Sequence, residues 1–226
     1  MLDLFLLRRF YLFAYRAESQ LVSPTNENLQ SIIIEMSIHR QNERERTQYY
    51  PLSVYLLKGG RSEEAAATLV RAASLRPDAA EVHRALGILY EELGDLDKAE
   101  LALKKAVALN AGDLNSRVNL GVVLIKKQQP EQAVVAVRQA VQVDSRNARA
   151  LSVLGWAELE LGEYRQAQVS LERCVEIDAV NALAHNNLGV VYQRAGKVDD
   201  ARREFDTALR LNPSLDVARK NLERLG

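Results

Sequence analysis

Three histidines and one cysteine are the residues of this 226-residue chain most able to hold a metal or supply a nucleophile. Their spacing suits neither task. His83 and His185 are far apart in sequence, His39 stands near neither, and Cys174 has no second cysteine to share a zinc ion or close a disulfide. No phosphate-binding glycine loop, zinc-protease motif or nucleophile elbow occurs. Lys and Arg number 30, as do Asp and Glu, so no basic excess exists to gather nucleic-acid phosphates. These residues point to no catalytic set, no cofactor, no metal site and no nucleic-acid partner. The histidines read as packing or surface residues and Cys174 as a small buried hydrophobe.

The order in the sequence lies instead in a repeat. Leu-Gly recurs at 86–87, 120–121, 154–155 and 188–189, always with a period of 34 residues, and Leu52-Ser53 sits one period earlier. Units drawn on this period run over 46–79, 80–113, 114–147, 148–181 and 182–215. Counting from the first residue of each unit, position 20 reads Ala65, Ala99, Ala133, Ala167 and Ala201. Position 24 reads Leu69, Leu103, Val137, Leu171 and Phe205, and position 27 reads Ala72, Ala106, Ala140, Cys174 and Ala208. Position 11 carries Leu56, Tyr90, Leu124, Glu158 and Tyr192. Position 15 carries Gly60, Gly94, Gly162 and Gly196, and position 32 carries Pro77 and Pro213.

Apolar residues at three- and four-residue spacing predict two short helices, A and B, in each unit. Small residues at positions 8, 20 and 27 let the paired helices approach, while larger ones at 7 and 11 fill the gap. Gly at position 15 ends helix A by supplying positive φ, and Asp95 or Ser62 just beyond can cap helix B. In the third unit Gln128-Gln129-Pro130 replaces the glycine turn, with Pro130 suited to the first turn of helix B. No unit can bury its apolar face alone, so neighbours must stack.

This pattern resembles the tetratricopeptide repeat family over about three-quarters of the chain. The resemblance implies an all-α solenoid, a right-handed superhelix of tandem helical hairpins, acting as a non-catalytic protein-interaction scaffold. It also implies that positions 2, 5, 6, 9, 12 and 13 of each helix A line a concave groove. Position 9 is apolar throughout: Val54, Ile88, Val122, Trp156 and Val190. Such a row either lines an apolar groove for a partner helix or extended peptide, or leans into the next unit as core. Trp156 favours the first reading, because tryptophan is enriched at binding hot spots.

Position 6 carries Asn119 and Asn187, and Asn221 follows one period on; Ala85 and Val153 interrupt the row. These amides could hold a peptide backbone, as some family members do, or simply bond to their neighbours. The family's carboxylate-gripping pattern maps Arg84, Asn119 and Arg149 in kind, but Ile88 and Val153 stand where it expects polar residues. What is left of that pattern could accept an acidic side chain or chain end. The candidate partner-binding residues are therefore Arg84, Ile88, Asn119, Val122, Arg149, Trp156, Asn187, Val190 and Asn221.

The ends differ from the array. Residues 216–226 predict a capping helix with Arg219, Lys220, Glu223 and Arg224 facing solvent. Residues 1–45 do not fit the repeat and predict a helical leader, while Pro51 would delay or kink the helix that follows. Within the leader, Leu2, Phe5, Leu6, Phe10, Leu12 and Phe13 make an apolar helix interrupted by Arg8 and Arg9. Those arginines argue against a signal peptide or membrane span, so a cytoplasmic protein, at most peripheral to a membrane, is expected. The leader could dock on the array, self-associate through residues 1–20, or lie on a membrane. A self-assembling reading has the leader of one copy fill the groove of the next; the layout resembles, in architecture alone, that of magnetosome-associated members of the family, which assemble that way.

Overall fold

The computed structural model describes residues 62–225, and these are helical throughout, without a strand. The expectations for the leader, Pro51, Val54 and Gly60 lie outside the described residues. Helix α1 spans Ser62–Leu75, α2 Ala80–Glu92, α3 Leu96–Leu109, α4 Leu114–Lys126 and α5 Pro130–Val143. Helix α6 spans Ala148–Glu160, α7 Tyr164–Ile177, α8 Ala182–Arg194, α9 Val198–Leu211 and α10 Asp216–Glu223. Four hairpins result, α2–α3 to α8–α9, with α1 before them and α10 after. The fold is an all-α solenoid of helical hairpins.

Within each hairpin the close approach is a glycine on helix A receiving a large residue from helix B. A Cβ on Gly155 would lie 2.5 Å from Leu171 Cγ, and one on Gly189 would lie 2.6 Å from Phe205 Cε1. Gly87 stands in the same way over Leu103, and Gly121 over Val137. All four partners are fully buried, so each glycine is the socket that lets a large side chain enter the interface.

The turn from helix A to helix B has one geometry four times over. Gly94, Gly162 and Gly196 take φ values of 79°, 76° and 74°. After each, the next amide reaches five residues back, as in Asp95 N to Tyr90 O at 2.8 Å, the Schellman closure of a helix end. In the third unit Gln128 adopts φ 59°, and Gln129 N reaches Leu124 O at 2.9 Å. The missing glycine thus changed the residue but not the turn. Asp95 caps α3 through a 3.2 Å bond from Lys98 N. The capping expectation is not met for Ser62, which is already the first residue of α1.

A second recurring bond ties each hairpin to the next. At position 4 of helix A a side chain reaches the carbonyl six residues earlier, in the preceding loop. His83 Nε2 lies 3.0 Å from Pro77 O, and Arg117 Nη2 donates to Ala111 O at 3.0 Å. His185 Nε2 lies 3.2 Å from Ala179 O, and Arg219 Nη2 donates to Pro213 O at 2.7 Å. Helix α6 has the fully buried Leu151 at this position, and Arg173 of α7 serves the Ser145 carbonyl at 2.8 Å instead. Two of the helix A starts carry asparagine caps. Asn147 and Asn181 accept from Ala150 N and Ala184 N at 2.9 and 3.0 Å.

Stacking sets the side on which a partner could sit. Every A helix packs against the A helix of the next hairpin: α2 on α4, α4 on α6, α6 on α8, α8 on α10. No B helix packs comparably on another B helix among the described residues. The A helices are therefore the tightly spaced layer and the B helices the splayed one, which places the inner, concave side on helix A.

Candidate functional site

Three adjoining cavities run along the A-helix face. The first, about 280 Å³, is lined by Arg84, Ile88, Glu91, Asn119, Val122 and Arg149 among others. The second, about 630 Å³, shares Val122 and Arg149 with it and adds Lys126, Trp156, Leu183 and Asn187. The third, about 500 Å³, shares Trp156 and Asn187 with the second and adds Glu160, Val190, Arg194 and Asn221. Each of the nine candidate residues lines at least one of them.

Position 9 of helix A borders this channel, and Val122 and Trp156 also pack against the core. Ile88 is exposed, and Val122, Trp156 and Val190 are half-buried. The Trp156 indole N–H donates to Glu160 Oε1 at 3.1 Å, which holds the ring along its own helix at the junction of the second and third cavities.

The polar residues of the first cavity are already engaged within the chain. Arg84 pairs with Asp113 at 2.7 Å, and Lys126 pairs with Glu91. Arg149 Nη2 donates to Asn119 Oδ1, and Asn119 is buried. Arg84 and Arg149, grouped together by the sequence, have different partners here. Burial alone would raise the Asp113 carboxyl, but hydrogen bonds from Ser116 and Arg84 and the arginine charge outweigh it and hold it below its usual value. The surrounding helices press the Arg149 pKa down, with the charge of Glu91 opposing; a guanidinium stays charged regardless.

In the last two A helices three amides form a relay. Asn221 Nδ2 donates to Asn186 Oδ1 at 3.0 Å, and Asn186 Nδ2 donates to Asn187 Oδ1 at 3.0 Å. Asn186 itself is buried. The two readings of the asparagine row therefore meet in the same residues: each bonds a neighbour, and Asn187 and Asn221 also border a cavity.

Sequence reasoning missed Asn186, Lys126, Leu183, Val217 and Arg194 as lining residues. All stand at positions 2, 5 or 13 of helix A. The signal was available, because those positions belong to the inner face, but attention to positions 6 and 9 passed over them. Cys174 is buried, its thiol 3.2 Å from Ala148 O and pushed up to about 11 by burial. The outward set at α10 (Arg219, Lys220, Glu223, Arg224) is exposed. Among the described residues no helix is long and apolar enough to cross a membrane.

Solved structures with this architecture include MamA 41-end from Desulfovibrio magneticus RS-1, 24% identical, with a TM-score of 0.66 over 76% of this chain and 97% of that one. TTC0263 of Thermus thermophilus, a thermophilic TPR protein, is 24% identical with a TM-score of 0.65, over 80% and 98% of the two chains. YrrB, described as a TPR protein with an unusual peptide-binding site, is 22% identical with a TM-score of 0.63, over 83% and 97%. No curated protein sequence matches the chain. The description Tetratricopeptide repeat matches residues 50–113 and 118–167, and again 182–215. With glycine sockets, Schellman turns and A-on-A stacking on the same period, the chain belongs to the tetratricopeptide repeat family.

Proposed function

We propose that this protein is a non-catalytic scaffold that binds a peptide or partner helix along the A-helix groove. In this reading residues 1–45 form a leader, 46–215 form five repeats, and 216–226 cap the array. One observation carries the proposal: the three cavities adjoin and share lining residues, giving one channel with apolar walls at Ile88, Val122, Trp156 and Val190. Apolar side chains kept at an inner face are typical of interaction sites, and Trp156 at a cavity junction is the residue type that anchors partners. YrrB, with its described peptide-binding site, lends support by fold alone.

Site-specific photocrosslinking tests this. A benzophenone side chain replaces Val190 in the groove or, as a control, the exposed Val169 on the outer side of α7. Crosslinking in source lysate, followed by mass spectrometry, should join a defined partner to position 190 and not to 169. Crosslinks from Val190 to residues 1–20 of another copy would instead select the self-assembling reading. Equal products at both positions would overturn the groove as the binding site.

A further inference from the structure

The groove differs along its length in which polar groups remain free. In the first cavity Arg84 is paired with Asp113 and Glu91 with Lys126. In the third cavity Arg194 has no carboxylate within ion-pair distance among the described residues, although it lines the wall beside Val190, Asn187 and Asn221. Arg149, at the far side of Trp156, likewise lacks a carboxylate partner among the described residues. The one acid of this stretch that lines a cavity, Glu160, accepts the Trp156 indole bond. Two cations without ion-pair partners thus flank an aromatic wall, and apolar surface at Leu183, Val190 and Val217 lies between them.

Resting on the groove reading above, we propose that the α6–α8–α10 part of the groove selects a partner segment carrying a side-chain carboxylate next to an apolar residue. The apolar side chain packs on Trp156 and Val190, and the carboxylate meets Arg194. A guanidinium left without a partner at a cavity wall is matched by a carboxylate, with which it forms a strong, directional pair. The amide relay adds a backbone contact. With Asn186 fixing both neighbours, the Asn187 N–H₂ and the Asn221 carbonyl have no partner among the described residues, and a donor beside an acceptor is what one peptide unit of an extended chain requires. The cavities continue on both sides of Trp156, so the segment is internal rather than a chain end.

The chain's one tryptophan is Trp156, so its fluorescence reports on this part of the groove. The probes are three pools of capped ten-residue peptides, randomised as Leu with Glu, Leu with Lys, and Leu with Ser. The Leu/Glu pool should shift the emission with an apparent Kd about tenfold lower than the Leu/Lys pool. Arg194→Glu, an exposed substitution the fold should tolerate, should abolish or invert that preference. Equal binding of the acidic and basic pools, or a preference that survives Arg194→Glu, would overturn the carboxylate assignment while leaving the groove as a peptide site. An acid preference seen only with uncapped free-acid peptides would also overturn it, moving the carboxylate to a chain terminus. If no pool perturbs Trp156, the groove reading falls and this assignment with it.

Discussion

Ser170 donates a 2.7 Å hydrogen bond to Glu158 Oε2 inside the α6–α7 hairpin. Glu158 is 3% exposed and occupies the position where the other described hairpins place Tyr90, Leu124 and Tyr192. Its nearest cation, Arg138, stands 3.8 Å away. This is a charge in a slot that the rest of the array fills with apolar or aromatic bulk, and burial raises its pKa despite the bond from Ser170 and the charge of Arg138.

Glu158→Gln keeps an acceptor for Ser170 and removes the buried charge. The variant should unfold about 2–4 °C higher at pH 7, the shift that 1 kcal/mol brings in a chain of this size. Because the folded-state pKa is raised, the folded protein binds more protons than the unfolded chain at mildly acidic pH. Wild-type stability from this group therefore rises as pH falls through the folded value, and the advantage of the variant should shrink between pH 7 and 5. Thermal scans of both proteins across that range check the sign.

His83 has the opposite linkage. Burial lowers its pKa, with the bond to Pro77 opposing, so the unfolded chain protonates first as pH falls below 6.5. The contribution of this residue is present above that value and declines as pH drops toward the folded one. In the Glu158→Gln background, stability should fall below pH 6.5, and adding His83→Leu should flatten the decline. The same change should cost about 1–2 kcal/mol at pH 7.5, because the Pro77 carbonyl loses its partner. Urea titrations at both pH values give both numbers.

Much of the fold is legible from the 34-residue period, because steric sockets leave a strong mark on residue type. Only glycine fits over Leu171 or Phe205, so positions 8 and 24 announce each other. The hydrogen-bonded features are far less visible. His83, Arg117, His185 and Arg219 serve one kind of carbonyl with two unrelated side chains, and at α6 the task passes to Arg173 on another helix. A bond that several residue types can make leaves no consensus to read. The groove was legible as a row of positions, but the pairing of its charges depends on rotamers between hairpins, which spacing does not specify.

Gln128 holds φ 59° in a turn that glycine fills elsewhere. A side chain in this region costs roughly 1 kcal/mol, so Gln128→Gly should stabilise the protein by up to about 1 kcal/mol. The reverse change at Gly162 (φ 76°), to alanine, should destabilise it by a similar amount. Chemical denaturation of the pair, with unchanged slopes, tests both directions.

Gly155→Ala drives a methyl group into Leu171 and should cost about 1–3 kcal/mol. Leu171→Ala alone should cost about 2–5 kcal/mol through the cavity it opens. The double variant should cost less than the sum, since the new methyl group enters the space that Leu171 vacates. A double-mutant cycle by denaturant unfolding measures that coupling, and strict additivity would refute the socket.

Because each A helix meets, among the A helices, only those of the adjacent hairpins, the array behaves mechanically as springs in series. Small angular play at each junction accumulates along the stack, so groove width is a sum of local settings rather than a property of any one hairpin. A partner lying from α4 to α10 crosses three such junctions and stills them together. It surrenders their play as part of binding. Substitutions in the loops, remote from every groove residue, would then tune affinity by stiffening the stack beforehand.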